Sequence, residues 1–115
     1  MRALAAGVMM LSAGMAQAGV GCTFGSECYE EEGCAFTQFA LEIEGTGAEA
    51  RLVSDAGTVP GALEATEGGG SLFRGMDDSG AWQMVIAPEG LARLAVMYFE
   101  GPMMITYFGQ CEAAS

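Results

Sequence analysis

The stretch Trp82–Cys111, WQMVIAPEGLARLAVMYFEGPMMITYFGQC, decides the fold class. Trp82, Met84 and Ile86 alternate with Gln83 and Val85. After Pro88-Glu89-Gly90, the residues Ala92, Leu94, Val96 and Tyr98 alternate with Arg93, Ala95, Met97 and Phe99. After Glu100-Gly101-Pro102, a last alternation of Met103, Ile105 and Tyr107 runs to Gly109-Gln110-Cys111. A period of two sends successive side chains to opposite faces of a strand, and a short Gly/Pro turn folds each strand back on the one before it. Leu91, Leu94, Ala95 and Tyr98 also fit a helical period, but Phe99 and the flanking glycines and prolines favour the strand.

The same pattern continues towards the N-terminus. Phe39, Leu41 and Ile43 share one face and Gln38, Glu42 and Glu44 the other. Gly45-Thr46-Gly47 turns the chain into a strand with Ala48, Ala50 and Leu52 inward and Glu49 and Arg51 outward. Asp55-Ala56-Gly57 and Pro60-Gly61 break the chain. Ala62–Thr66 and Ser71–Arg74 read as short strands. Glu67-Gly68-Gly69-Gly70 reads as a flexible loop and Met76–Gly80 as a turn. About seven such strands make a small all-β domain, an antiparallel meander forming a barrel or a sandwich.

Ahead of the β pattern, Arg2 precedes an uncharged run, Ala3–Met15, and Ala16-Gln17-Ala18 supplies small residues at −3 and −1 to Gly19. That is the pattern of a cleavable secretory signal peptide, and the apolar run is shorter than the ~20 residues of a membrane span. The chain therefore divides into a leader (1–18), a Cys-rich N-terminal segment (19–34) and the β domain (35–115). The Cys-rich segment reads as a stapled loop with at most a short strand at Val20–Phe24. No later apolar run is long enough for a membrane helix, and the expected location is periplasmic or extracellular.

Four cysteines follow the leader: Cys22, Cys28, Cys34 and Cys111. An even count in an exported chain argues for two disulfides. Cys28–Cys34 with Cys22–Cys111 is the preferred pairing, and Cys22–Cys28 with Cys34–Cys111 fits almost as well. Acylation of Cys22 is a further option. It would put Gly19 where a lipoprotein signal carries a branched apolar residue, and it would leave an odd number of thiols.

The charge is one-sided. Beyond the leader, fifteen Asp and Glu face three arginines, Arg51, Arg74 and Arg93, for a formal charge of −12, and there is no lysine or histidine anywhere. Nucleic-acid binding, which runs on basic contacts to phosphate, is excluded as an expectation. An anionic membrane surface is disfavoured, while a cationic protein is attracted. Triads built on histidine and Schiff-base chemistry on lysine have no residues to use. A carboxylate pair such as Glu42 and Glu44 remains, but on a solvated strand face, so no enzyme, no catalytic residue and no cofactor is expected.

Metal ligands are few. Cys22, Cys28 and Cys34 lack the close two-cysteine knuckle of structural zinc. Glu27, Glu30, Glu31, Glu32, Asp77 and Asp78 offer oxygens without a calcium-loop spacing. Met76, Met84, Met97, Met103 and Met104 are thioethers suited to Cu(I), with Met84 placed as core filling. A metal-binding envelope protein using acidic loops or thiols is therefore the alternative reading, without assigned ligands. The leading one is a non-catalytic binding or inhibitory module for a cationic partner. Its expected surface draws on the aromatics Tyr98, Phe99, Tyr107 and Phe108, since one ring of each adjacent pair faces outward.

In size, exported character, strand pattern and the Tyr107-Phe108-Gly109-Gln110-Cys111 ending, the chain loosely resembles the periplasmic membrane-bound or C-type lysozyme inhibitors. That resemblance implies a small antiparallel barrel and a cationic partner, lysozyme. The inhibitory loops of that family use a serine and a lysine; this chain has no lysine, so no functional residue carries over.

Intact-mass measurement of the protein exported from its own type of cell should give a chain starting at Gly19, without acylation and without alkylatable thiol. A mass retaining residues 1–18 would overturn the leader assignment.

Overall fold

The computed structural model describes residues 19–113, so the leader assigned to residues 1–18 lies outside the described residues. Eight strands follow one another: β1 (Val20–Tyr29), β2 (Gly33–Glu44), β3 (Gly47–Ser54), β4 (Gly57–Ala65), β5 (Ser71–Met76), β6 (Gly80–Ile86), β7 (Leu91–Tyr98) and β8 (Met103–Ala113). Each pairs antiparallel with the next, and β8 returns to β1, so the meander is a closed barrel rather than a sandwich.

An eight-stranded barrel has an interior just wide enough for side chains to fill. Here Phe24, Ile43, Leu52, Phe73, Met84, Leu94 and Val96 fill it, and no polar or charged side chain among the described residues is fully buried. Removing each such side chain from water contributes about 1.5–3 kcal/mol. Two inward glycines make room for the largest. Gly61 and Gly75 face each other across β4 and β5, and a Cβ on Gly75 would meet the Pro60 carbonyl oxygen and the Phe73 ring. Outward positions carry Glu42, Glu44, Arg51, Glu64, Arg74 and Arg93. A membrane barrel has the reverse arrangement, with an apolar outer band and a polar interior.

Both disulfides of the preferred pairing are present, Cys22–Cys111 and Cys28–Cys34. Each joins residues directly opposite in register, Cys22 with Cys111 across β1 and β8, and Cys28 with Cys34 across β1 and β2. Cys22–Cys111 is buried and locks the closing seam; Cys34 is exposed at the hairpin end. Two disulfides are compatible with an oxidising location.

The structure departs from the sequence expectation in four places. Ala48, expected inward with Ala50 and Leu52, is exposed, because the register of β3 against β4 shifts between Gly47 and Ala50. Gly19–Gly33 is no stapled loop: from Val20 to Tyr29 it is a ten-residue strand with partners on both sides. Its glycines and acidic residues are tolerated because main-chain pairing and a disulfide, not side-chain propensity, hold it. Pro60-Gly61 does not break the chain but lies inside β4. β4 pairs with β5 only from Gly61 onward, so Pro60, which has no N–H, sits where the strand has one neighbour. Glu67–Gly70 is a defined turn, with Thr66 N donating to Gly70 O at 3.0 Å and Gly69 N to Thr66 O at 3.2 Å.

Replacing both cysteines of each bridge by alanine should separate their contributions. Loss of Cys22–Cys111, sequence separation 89, is expected to cost about 4–5 kcal/mol and loss of Cys28–Cys34, separation 6, about 2 kcal/mol on chain-entropy grounds. Denaturant unfolding of the two double variants measures the difference. Equal losses would show that the closing seam does not depend on its crosslink.

Candidate functional site

The meander puts four turns at one end of the barrel: Glu30–Glu32, Asp55-Ala56, Asp77–Ser79 and Phe99–Pro102. Their sequences are acidic because short turns at a rim are solvated and demand no apolar side chain. Together with Glu27, the last inward carboxylate of β1, they gather Glu30, Glu31, Glu32, Asp55, Asp77, Asp78 and Glu100, with no arginine at this rim. The three arginines among the described residues lie within strands. Arg51 pairs with Glu44 at 2.9 Å, Arg74 with Glu64 at 3.2 Å, and Arg93 lies over the Phe108 ring, 4.9 Å from its centre. The ion pairs are exposed and each worth at most about 1 kcal/mol.

A bulge fixes what the mouth of the barrel displays. The register of β1 shifts between Phe24 and Ser26: against β8, Gly25 is an extra residue between the adjacent partners Gly109 and Phe108, whereas against β2 it stands opposite two residues, Thr37 and Gln38. Inward residues are Cys22 and Phe24 before the bulge, and Glu27 and Tyr29 after it, opposite the inward Tyr107 and Ile105. Cys28 turns outward with its partner Cys34. Such a glycine bulge re-aims side chains near a strand end.

At the mouth, Tyr29, Asp78, Ser79, Tyr98, Glu100, Met103 and Ile105 line an open cleft of ≈ 580 Å³. The Tyr29 hydroxyl donates to Glu27 Oε2 at 2.9 Å. That hydrogen bond, with the Glu27 charge and some burial, raises the Tyr29 phenol above its ordinary value. Tyr107 lies deeper, its ring 5.0 Å from Phe39 and 6.0 Å from Phe24, and burial first, then the neighbouring Tyr98, Glu27 and Tyr29, push its phenol up to about 12. Asp77 is the organiser of its turn. Its Oδ1 accepts from Ser79 Oγ at 2.8 Å, Ser79 N at 2.9 Å and Gly80 N at 3.0 Å. Burial of the carboxyl acts against its ionisation, but these donors outweigh it and hold the carboxyl below the usual range. Phe99 N donates to Ser79 O at 3.0 Å, which ties two rim turns together.

The four aromatics expected as a surface fall on both sides of the wall. Tyr98 and Tyr107 face inward at the mouth, Phe99 sits exposed in a rim turn, and Phe108 faces outward beneath Arg93. Ser26 is opposite both Phe108 on β8 and Phe36 on β2, so Phe36 and Phe108 share one outer row with a small residue between them. Phe36 is 98% exposed, and sequence reading did not select it. Nor did it select Tyr29, whose aim depends on the bulge; Gly25 in mid-strand was the available signal.

β2 has a further feature. Its ladder with β3 holds only Glu42–Glu44 against Arg51–Val53, while its ladder with β1 continues down to Gly33. The segment from Gly33 to Leu41 therefore carries a free main-chain edge, uncharged in sequence, next to a groove of ≈ 400 Å³ that includes Gln38, Phe39, Val53 and Asp55.

Other candidates are placed apart. Glu42 and Glu44 are on the outer wall, with Glu44 held by Arg51. All four cysteines are in disulfides, so no thiolate is free to bind an ion. No group of three or more Asp, Glu, His or Cys among the described residues is arranged to hold a metal. The fold and rim define a filled, closed eight-stranded barrel with its carboxylates concentrated at one mouth. No protein-family model, curated protein or solved structure matches the chain.

The Tyr107 phenol gives a pH signature. Its folded value lies above the ordinary 10.0, so the stabilisation it contributes is complete below pH 10 and is lost as pH rises through about 12. Tyrosinate absorbance should show a late step near 12 that is missing in Tyr107→Phe, and alkaline destabilisation between these values should be smaller in that variant. An unchanged titration would place Tyr107 in a wetter site.

Proposed function

We propose that the protein is a non-catalytic binding or inhibitory module for a cationic protein of the cell envelope, acting in the periplasm or outside the cell. The observation that carries this reading is the separation of charge: one rim bears Glu27, Glu30–Glu32, Asp55, Asp77, Asp78 and Glu100 without a basic residue, while Arg51, Arg74 and Arg93, the arginines among the described residues, are held in the wall. A concentrated field of one sign accelerates encounter with a partner of the other sign and suppresses wrong partners.

The surroundings suit contact with a protein rather than a small metabolite. The interior is filled, so the barrel itself holds no ligand chamber. The rim turns are braced by Asp77 and by the bond from Phe99 N to Ser79 O, which lowers the ordering cost of association. Phe36 and the free edge of β2 stand beside the acidic Glu30–Glu32 turn, giving apolar and main-chain groups for a partner steered there by charge. The alternative of a metal protein using thiols loses its ligands to the disulfides.

A C-type lysozyme is the first probe, as a cationic partner of the kind the sequence resemblance implies. Its binding should weaken as salt rises. The triple variant E30Q/E31Q/E32Q should lose more affinity than E67Q/E89Q/E112Q, which removes the same charge from the opposite end of the barrel. Salt-independent binding, or equal loss in the two variants, would sink the rim as the docking site.

A further inference from the structure

The outer wall carries a row of thioethers that the core does not need. Register places Met97 of β7 directly opposite Met104 of β8, and Ala81 of β6 directly opposite Met97 on its other side. Met76 of β5 is in turn opposite Ala81. Residues paired in this way point to the same face, and their Cβ atoms stand about 4.5–5.5 Å apart. All four side chains are outward, because their neighbours Gly75, Trp82, Val96 and Ile105 are the inward set. Ala81 is short, so nothing stands between Met76 and Met97. Both are open to solvent, Met76 at 60% and Met97 at 50%.

The row ends on a carboxylate. Glu30 follows the inward Tyr29 and faces outward beside β8, where its Oε1 accepts from Met104 N at 3.4 Å. Across the wall the order is therefore Met76, Ala81, Met97, Met104, Glu30. The methionine side chain has three rotatable bonds, two of which move the sulfur, enough for sulfurs on neighbouring strands to converge over the low ground at Ala81. Thioethers are soft donors that prefer monovalent copper to hard cations. Among the described residues no thiolate or imidazole competes, since every cysteine is in a disulfide and the chain has no histidine. The acidic rim next to the row concentrates cations.

We propose that Met76, Met97 and Met104, with Glu30 at the end of the row, form a surface site for a soft monovalent cation, Cu(I), with Ag(I) as its air-stable equivalent. Met103, one residue from Met104 but on the mouth side of the wall, and Met84, in the core, are outside the site. Glu30 belongs to both this site and the acidic rim, but Met76, Met97 and Met104 lie on the outer wall, so the site is tested without altering the rim carboxylates.

The test titrates Ag(I) into the disulfide-bonded mature protein. Native mass spectrometry should show one Ag(I) per chain, and methionine methyl resonances should move for Met76, Met97 and Met104 but not for Met84 or Met103. M97L/M104L, two outward substitutions of similar volume, should keep the native circular dichroism and lose the bound Ag(I), while M103L retains it. Absence of Ag(I) binding, binding unchanged in M97L/M104L, or equal movement of the Met103 methyl would each overturn the site.

Discussion

Closure of the sheet through β1 is the constraint on which the rest of this structure depends. β1 is the one strand paired with both the second and the last strand, and it is placed by main-chain hydrogen bonds along both edges and by a disulfide to each neighbour. An open sheet of this sequence would leave β1 and β8 as edges and expose the apolar face now filled by Phe24, Phe73, Leu94 and Val96. The glycines near the seam belong to the same constraint. A Cβ on Gly109 would collide with the Thr23 carbonyl oxygen and the Phe24 backbone, so the last strand approaches the first only because that position has no side chain.

What the mouth of the barrel displays follows from one irregularity in that strand. If Gly25 alternated regularly instead of forming a bulge, Ser26 and Cys28 would point inward and Glu27 and Tyr29 outward. The bulge instead aims Tyr29 and Glu27 at the mouth beside Tyr107 and frees Cys28 to crosslink the hairpin on the outer side. Strand length does the rest. β3 ends at Ser54 while the β1–β2 hairpin runs on, so the β2 edge from Gly33 to Leu41 stands above its neighbour with unpaired main chain.

Electrostatics and packing are divided between the two surfaces of the wall. Inside, every fully buried side chain is apolar, which avoids the cost of desolvating charge. Outside, the strands carry Arg51, Arg74 and Arg93, two of them neutralised by glutamates, whereas the turns carry carboxylates without arginine, most of them at one rim. Self-repulsion among those carboxylates is tolerable because the turns are solvated, and hydrogen bonds to Asp77 and the bond from Met104 N to Glu30 hold two of them in place. The excess of negative charge is thus spread unevenly over the barrel, densest at the rim formed by Glu30–Glu32, Asp55, Asp77, Asp78 and Glu100.

Alternation of apolar and polar residues by itself determined the all-β class, the antiparallel order and most of the core: Leu41, Ile43, Ala50, Leu52, Met84, Leu94 and Val96 are buried where a period of two places them. Local patterning is enough there because each side chain answers only to which face of its own strand is covered. The preferred disulfide pairing also followed from spacing, though the alternative pairing was open until the register set Cys22 against Cys111. Tertiary structure alone decided the rest. Whether the sheet closed or stacked depended on β1 meeting β8, and a Gly-rich, acidic strand has little propensity of its own to announce that. The inward aim of Tyr29, the isolation of Phe36 and the alignment of Met76, Met97 and Met104 come from one bulge and from inter-strand register. These are relations between residues far apart in the chain, fixed by hydrogen bonds that no local stretch of sequence encodes.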